Sequence, residues 1–189
     1  MKHIAIFASG SGSNAQKIIE HFEDSLYVNV SLIVTNRCKA KVLDRAERFN
    51  IPTIVLKDKA QFSSELFVKD LRDHKIDLIV LAGFLWLIPK QLITHFPKAI
   101  INIHPALLPA FGGKGMYGMH IHRAVKQQGV LETGITIHYV NPVYDEGEII
   151  FQKSVNLLAS DTPEEIAAKV QALEHLYYPE VVEQTITRL

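Results

Sequence analysis

Asn102 and His104, in the run "IINIHP" at residues 100–105, are the side chains best suited to carbonyl chemistry. They lie two positions apart at the end of an apolar run, so on an extended strand both project from one face. Pro105 then stops the ladder. An amide donor beside an imidazole offers a carbonyl both oxyanion stabilisation and proton transfer. Taken alone, the pair would equally suit a capped strand end. Asp145, in "VYDEGEII", supplies a third member. A carboxylate brought to His104 would favour the imidazolium and could take up a proton through water. Asp-Glu-Gly is also ordinary hairpin chemistry. His138, in "GITIHYV" with Thr136 on the same strand face, is a supporting group.

A second feature is "ASGSGSNA" at residues 8–15, where Gly10, Gly12 and Ala15 fit the spacing G-x-G-x-x-A. Glycine lets the backbone turn tightly and approach a ligand closely. A helix beginning near Ser13 or Asn14 would aim its unpaired N–H groups and positive dipole end at an anion. Ser11, Ser13 and Asn14 add hydroxyl and amide donors. A plain strand-to-helix turn capped by Ser13 or Asn14 would use the same residues. A dinucleotide reader should also carry an acidic residue about 20 positions on, at the end of the second strand. Here that strand ends "VTNR". Arg37 could face a 2′-phosphate, so an NADP reading is weakened without being excluded. The loop speaks for phosphate more firmly than for nicotinamide.

Short apolar runs at 3–8, 28–35, 53–56, 77–83 and 99–104 read as strands, and the pattern predicts helices over 14–23, 39–49, 61–74 and 89–96. Ile, Val and Leu at both parities suit strands buried on both faces of a parallel sheet. The alternation predicts an α/β fold: an open, mostly parallel, Rossmann-like twisted sheet with helices on both faces. Ligands in such sheets sit outside the carboxyl ends of the strands. That rule puts Ser9 to Asn14, Gly83 to Trp86 and Asn102 to His104 on one rim. Beyond residue 104 come a Pro- and Gly-rich loop, a helix over 119–128 and strands at 134–140 and 148–155. A terminal helix then opens at an N-cap Ser160 or Asp161 with Pro163 in its first turn. Leu173, Leu176 and Tyr177 share a helical face expected to meet the core, and Phe62, Leu66 and Leu71 read as core.

The chain has 189 residues, with 20 Lys plus Arg against 20 Asp plus Glu. One domain is expected, and the balanced charge sets up no global field toward nucleic acid or an anionic membrane. Cys38 is the only cysteine, so no intramolecular disulfide can form. The apolar run after Lys2 and His3 is too short for a signal-peptide core. No stretch approaches the ~20 apolar residues of a membrane span. A cytoplasmic protein is expected. His120 and His122 look like a metal pair, but i and i+2 point apart on a helix. No histidine takes zinc-like spacing with Cys38, and no metal is expected.

"GSGSN", "LAGFLWLIP", "INIHPALLP", "ITIHYV" and "DEGEII" occur in the order and spacing of the folate-dependent phosphoribosylglycinamide formyltransferases. The resemblance runs through nearly the whole chain, including "EHLYYPEVV". It implies the formyltransferase fold in a single domain, with a ribonucleotide-binding half over 1–104 and the folate site and C-terminal part over 105–189. It implies that the amine of glycinamide ribonucleotide attacks the formyl carbon of 10-formyltetrahydrofolate, the co-substrate, without metal or covalent intermediate. By motif position Asn102 would hydrogen-bond the developing oxyanion, His104 would serve proton transfer and electrostatic stabilisation, and Asp145 would hold His104 and a proton-shuttling water. Gly10, Ser11, Gly12, Ser13 and Asn14 would bind the 5′-phosphate, and Glu174 the ribose hydroxyls. The folate would lie along Phe84, Leu85, Trp86, Leu87 and Ile88, with Asn102 beside it and Tyr139, Val140, Asn141 and Asp145 on the other wall. The partners implied are small molecules, for a monomer or homodimer.

Several positions depart from the pattern. Trp86 stands where many relatives carry Arg, and no Arg occurs between residues 46 and 72, where relatives place one near the folate tail. Lys57 or Lys59 are candidate substitutes. Gln171 stands near a position often basic, and "GGKGMYGMHIHRAV" is longer than the usual loop. Other superfamily members are the nearest rivals. A methionyl-tRNA formyltransferase would need a further domain and a basic surface, and a formyltetrahydrofolate deformylase usually adds a regulatory domain and would have no need of the phosphate loop. A non-catalytic NADP-binding module would explain Arg37 but leave Asn102, His104 and Asp145 as coincidence.

Overall fold

The computed structural model describes residues 1–189. Strands β1 (Lys2–Phe7), β2 (Val28–Thr35), β3 (Thr53–Val55), β4 (Leu78–Leu81), β5 (Ile100–His104), β6 (Glu132–Tyr139) and β7 (Ile149–Asn156) form one sheet, in the order β3-β2-β1-β4-β5-β6-β7. β1 to β5 run parallel, while β6 is antiparallel to β5 and to β7. Strand order reverses at β1, so the loops after β1 and β4 diverge there and leave a crevice at the carboxyl rim.

The alternation along β1 explains the two layers of core. Ile4 and Ile6 point to one face, where α1 (Ser13–Phe22), α2 (Val42–Arg48), α6 (Met119–Gln128) and α7 (Pro163–Ile186) pack. Ala5 and Phe7 point to the other, under α3 (Lys59–Phe62), α4 (Glu65–Asp73) and α5 (Lys90–His95). The second layer is aromatic: Phe7 meets Phe62 and Phe67 at ring separations of 6.3 and 6.0 Å.

The structure corrects four expectations. The helix expected over 61–74 is two, because Ser64 caps α4 by accepting the Phe67 N–H and interrupts the run. Leu66 therefore faces solvent, while Phe62 and Leu71 are buried. α7 is capped by Thr162, not Ser160 or Asp161: its hydroxyl accepts the Glu165 N–H while Glu165 accepts the Thr162 N–H, a reciprocal capping box. Asp161 instead accepts the Leu158 N–H and pairs with Lys169. Leu176 is exposed, although Leu173 and Tyr177 pack on the core as expected. Next to Tyr177, Tyr178 is fully buried and its hydroxyl donates to the Leu81 carbonyl at 2.8 Å, pinning α7 to the end of β4.

Candidate active site

A cavity of about 830 Å³ opens at the carboxyl rim. Residues 10–14, 81–88, 102–105, 113–119, His138, Val140, Asn141 and 143–145 line it, together with one face of α7 that includes Gln171 and Glu174. One wall gathers Asn102, His104, His138 and Asp145, and another part is the glycine loop over residues 10–14.

The chemical wall starts from β5. Its pairing sets Asn102 opposite His138 and His104 opposite Thr136, so Asn102 and His104 face the same way. Behind the strand end, the Thr136 hydroxyl donates to the Ala106 carbonyl and accepts the Leu108 N–H, fixing the chain just past Pro105. Asp145 is held in the left-handed region at φ 57°, and its Oδ2 accepts the Gly113 N–H at 2.9 Å. Gly147 is required here: a Cβ would stand 1.6 Å from the Tyr139 carbonyl oxygen, so only glycine lets the turn fold tightly under β6.

Hydrogen-bond chemistry then fixes the tautomers. His138 Nδ1 lies 2.8 Å from the Tyr139 carbonyl, which can only accept, so Nδ1 carries the proton. Its Nε2 is then the lone pair that accepts from Asn102 Nδ2 at 3.1 Å. Asn102 is thereby oriented, with a second N–H and its carbonyl oxygen uncommitted to His138. His104 follows the same logic. Nε2–H donates to the Phe111 carbonyl at 2.8 Å, leaving Nδ1 facing Asp145 Oδ2 at 3.5 Å. The exchangeable proton of His104 therefore belongs to Nδ1, between imidazole and carboxylate. His138 Nε2 stands 3.7 Å from Asp145 Oδ1, beyond hydrogen-bonding length.

Burial holds the His104 imidazole below its ordinary pKa, against the opposing charge of Asp145. For Asp145, burial alone would raise the carboxyl, but His138, the His104 charge and the Gly113 N–H outweigh it and keep it low. Asp145 is thus a fixed anion beside a histidine that resists protonation.

At the other end, Gly10 to Asn14 turn from β1 into α1. Gly12 caps the helix at φ 72°, with no side-chain cap from Ser13 or Asn14. A Cβ on Gly12 would lie 2.6 Å from Val42 Cγ2. Asn14 Nδ2 donates to Glu174 Oε2 at 2.9 Å, joining the loop to α7. Burial raises the Glu174 carboxyl despite that bond. Gln171 Nε2 reaches Ser13 Oγ at 3.4 Å. Arg37 is exposed and does not border the cavity.

Phe84 to Ile88 all border the cavity. Phe84 and Trp86 are anchored against the aromatic core, Phe84 lying 5.4 Å from both Phe7 and Phe62. Ser9 positions this stretch by accepting the Leu85 N–H while donating to Asn36 Oδ1. Val140, Asn141 and Asp145 also line the cavity, with Val143 and Tyr144 between them. Tyr139 is not on the wall: its ring lies under Lys98 and its carbonyl serves His138. His120 is exposed against Tyr117, whereas His122 is buried, borders the cavity and has an unpartnered Nδ1. No three His, Cys, Asp or Glu side chains gather as a metal-binding group.

An amide donor, an imidazole and a carboxylate gathered on the rim of an open sheet suit carbonyl chemistry. Comparison with known proteins narrows the class. The formyl transferase family matches residues 2–182. The chain is 39% identical over 191 residues to the phosphoribosylglycinamide formyltransferase of Bacillus subtilis, covering 98% of this chain and 95% of that one. It is 47% identical to the chloroplastic enzyme of that name from Arabidopsis thaliana, of whose length it spans 64%. The crystal structure of glycinamide ribonucleotide transformylase 1 from Geobacillus kaustophilus superposes with a TM-score of 0.88 at 36% identity, covering 98% of this chain and 99% of that one. The chain belongs to the phosphoribosylglycinamide formyltransferase branch of the formyl transferase family.

Proposed function

We propose that the chain transfers the formyl group of 10-formyltetrahydrofolate to the amine of N1-(5-phospho-D-ribosyl)glycinamide, a step of purine biosynthesis. One observation carries the reading: Asn102, His104 and Asp145 converge on a cavity whose far end is an open glycine loop. The anchored apolar stretch Phe84–Ile88, facing Val140, suits a flat heteroaromatic ring. The loop and the Asn14–Glu174 pair suit a phosphate and a ribose diol, since a carboxylate accepts two hydrogen bonds.

Asn102 has a free N–H for the oxygen that gains charge as the amine adds to the formyl carbon. His104, with Nε2 committed to Phe111, supplies the edge of a polarisable imidazole and exchanges its proton at Nδ1. Asp145, ionised and fixed, accepts through water the proton that the nitrogen must lose once its lone pair forms the new bond. That proton is returned to N10 of the folate as the bond from N10 to the formyl carbon breaks, so proton and electron pairs balance. Much of the acceleration comes from holding the two reactants in line, with the charge stabilised as it develops. The small-molecule partners, a cytoplasmic location and a monomeric or dimeric state belong to the same proposal. An exposed free Cys38 is in keeping with a reducing compartment.

The test is folate release by the purified protein, with the ribonucleotide present and absent, and Asn102→Ala and Asp145→Asn as controls. Release that needs the ribonucleotide and collapses in both variants is expected. Release without it would make the chain a deformylase, and no release in either condition would overturn the catalytic reading.

A further inference from the structure

We propose that Arg45, on α2 and outside the cavity wall, is a positioning residue that presents the glycine loop to the ribonucleotide's phosphate. This rests on the functional reading above and adds to it a residue that touches neither substrate.

Two consecutive carbonyls of the loop are held from behind by α2. The Val42 N–H donates to the Gly10 carbonyl at 3.2 Å, and Arg45 Nε donates to the Ser11 carbonyl at 2.7 Å. In a planar trans peptide the C=O and the next N–H point in opposite directions. Tying both carbonyls to α2 therefore turns the N–H groups of Ser11 and Gly12 away from it. Residues 10–14 border the cavity and no residue of α2 does. The N–H groups of Gly10, Ser11 and Gly12 donate to nothing within the chain. Without Arg45 the Ser11–Gly12 peptide would be free to rotate, since Gly12 tolerates both signs of φ.

Charge adds to the case. Among the cavity-lining residues the carboxylates are Asp145, Glu164 and Glu174, and Lys114 is the only Lys or Arg. A phosphate entering there meets an acidic wall. The guanidinium of Arg45 puts a permanent positive charge behind the loop, and its remaining N–H groups have no partner in the chain. Its field reaches α7: burial, then the charges of Lys17 and Arg45, hold His175 below its ordinary pKa against Glu20. A guanidinium presents Nε–H sideways in a fixed plane, which an ammonium cannot do, so lysine is not an equivalent here.

Arg45→Gln and Arg45→Lys test this by steady-state kinetics with both substrates and by titration with ribose 5-phosphate, with melting temperatures recorded alongside. Arg45→Gln is expected to raise KM for the ribonucleotide roughly tenfold and weaken ribose 5-phosphate by a similar factor, as loss of one charge-assisted bond implies. kcat and KM for the folate should stay within about twofold, a split that general loosening of the fold does not produce. Arg45→Lys keeps the charge and should lose roughly threefold, so it decides the question even if the glutamine variant folds poorly. An unchanged ribonucleotide KM in Arg45→Lys, or a parallel rise in both KM values, would overturn the proposal. Formyl transfer with no effect of Arg45 sinks this inference alone. Absence of transfer, with ribose 5-phosphate still bound and still weakened by the variants, sinks the transferase reading and leaves Arg45 in its role.

Discussion

The two ends of the cavity solve opposite problems. At the chemical wall nearly every polar group is spoken for: Asn102 by His138, His138 by Tyr139, His104 by Phe111 and Asp145, and Asp145 by Gly113. At the loop the acceptors are tied back and the donors left free. The difference follows from what each must do. A group that moves protons needs a defined tautomer and a perturbed pKa, and both come from fixed neighbours in a dry setting. A group that binds an anion needs uncommitted N–H bonds already aimed, so that little ordering remains to be done on binding. Satisfied networks make the first end, and supported vacancies in the network make the second.

The comparison breaks most visibly at Asp145. Asp145→Asn keeps shape and tolerates positive φ, yet removes the fixed anion. kcat for formyl transfer should fall by about 10³-fold or more with ribonucleotide affinity nearly unchanged, and equal losses in both would erase the distinction between the ends. Asn102→Ala should cost about 10²- to 10³-fold in kcat, as for loss of one oxyanion donor, measured in the same assay. Gly12→Ala strikes the other end through backbone alone, adding a Cβ 2.6 Å from Val42 Cγ2 at φ 72°. Thermal unfolding should show a loss of about 1–3 kcal/mol, and titration a weakened ribonucleotide. Glu174→Gln should raise KM for the ribonucleotide by about tenfold with kcat little altered. A fall in kcat instead would attach Glu174 to the chemical wall.

The smallest effect is on stability against pH. His104, His122 and His175 all have lowered pKa values, each chiefly through burial. The unfolded chain then binds protons that the folded one refuses, so stability falls as pH drops from about 7 to about 5. Asp145, also lowered, adds its loss only further into acid, below the ordinary carboxyl range. Glu174 works in reverse: its raised carboxyl contributes stability in acid that is lost as pH rises through its folded pKa. Melting temperatures across that range, in wild type and His104→Asn, should show the variant with the shallower slope.

Much of this was legible in the sequence. Val- and Ile-rich runs of both parities gave five parallel strands, because burial on both faces leaves no alternation to misread. Asn102, His104, Asp145 and the glycine loop declared themselves by residue type, Glu174 only through the family resemblance, and the fold brings them to one cavity. The α3–α4 break was missed because Ser64 reads as an ordinary helix residue until its hydroxyl is seen on the Phe67 N–H. The start of α7 was misplaced among three cap-type residues, although Thr162 with Glu165 carried the box spacing. Arg45 was invisible for a different reason. Its partner is a backbone carbonyl 34 residues away, which leaves no trace in side-chain pattern. Tautomers likewise depend on which carbonyl each ring nitrogen meets.

The bond from Tyr178 to the Leu81 carbonyl has a mechanical consequence. α7 carries Glu174, bonded to Asn14 of the glycine loop, and one turn later Tyr178 grips the end of β4 just ahead of the Phe84–Ile88 wall. A single rod thus bears on both ends of the cavity, and a tilt that moves Glu174 also moves Tyr178 against the end of β4. With both substrates bound as proposed, each would report its presence to its neighbour through a lever rather than by touch, and thermodynamic linkage requires any such message to be equally strong in both directions.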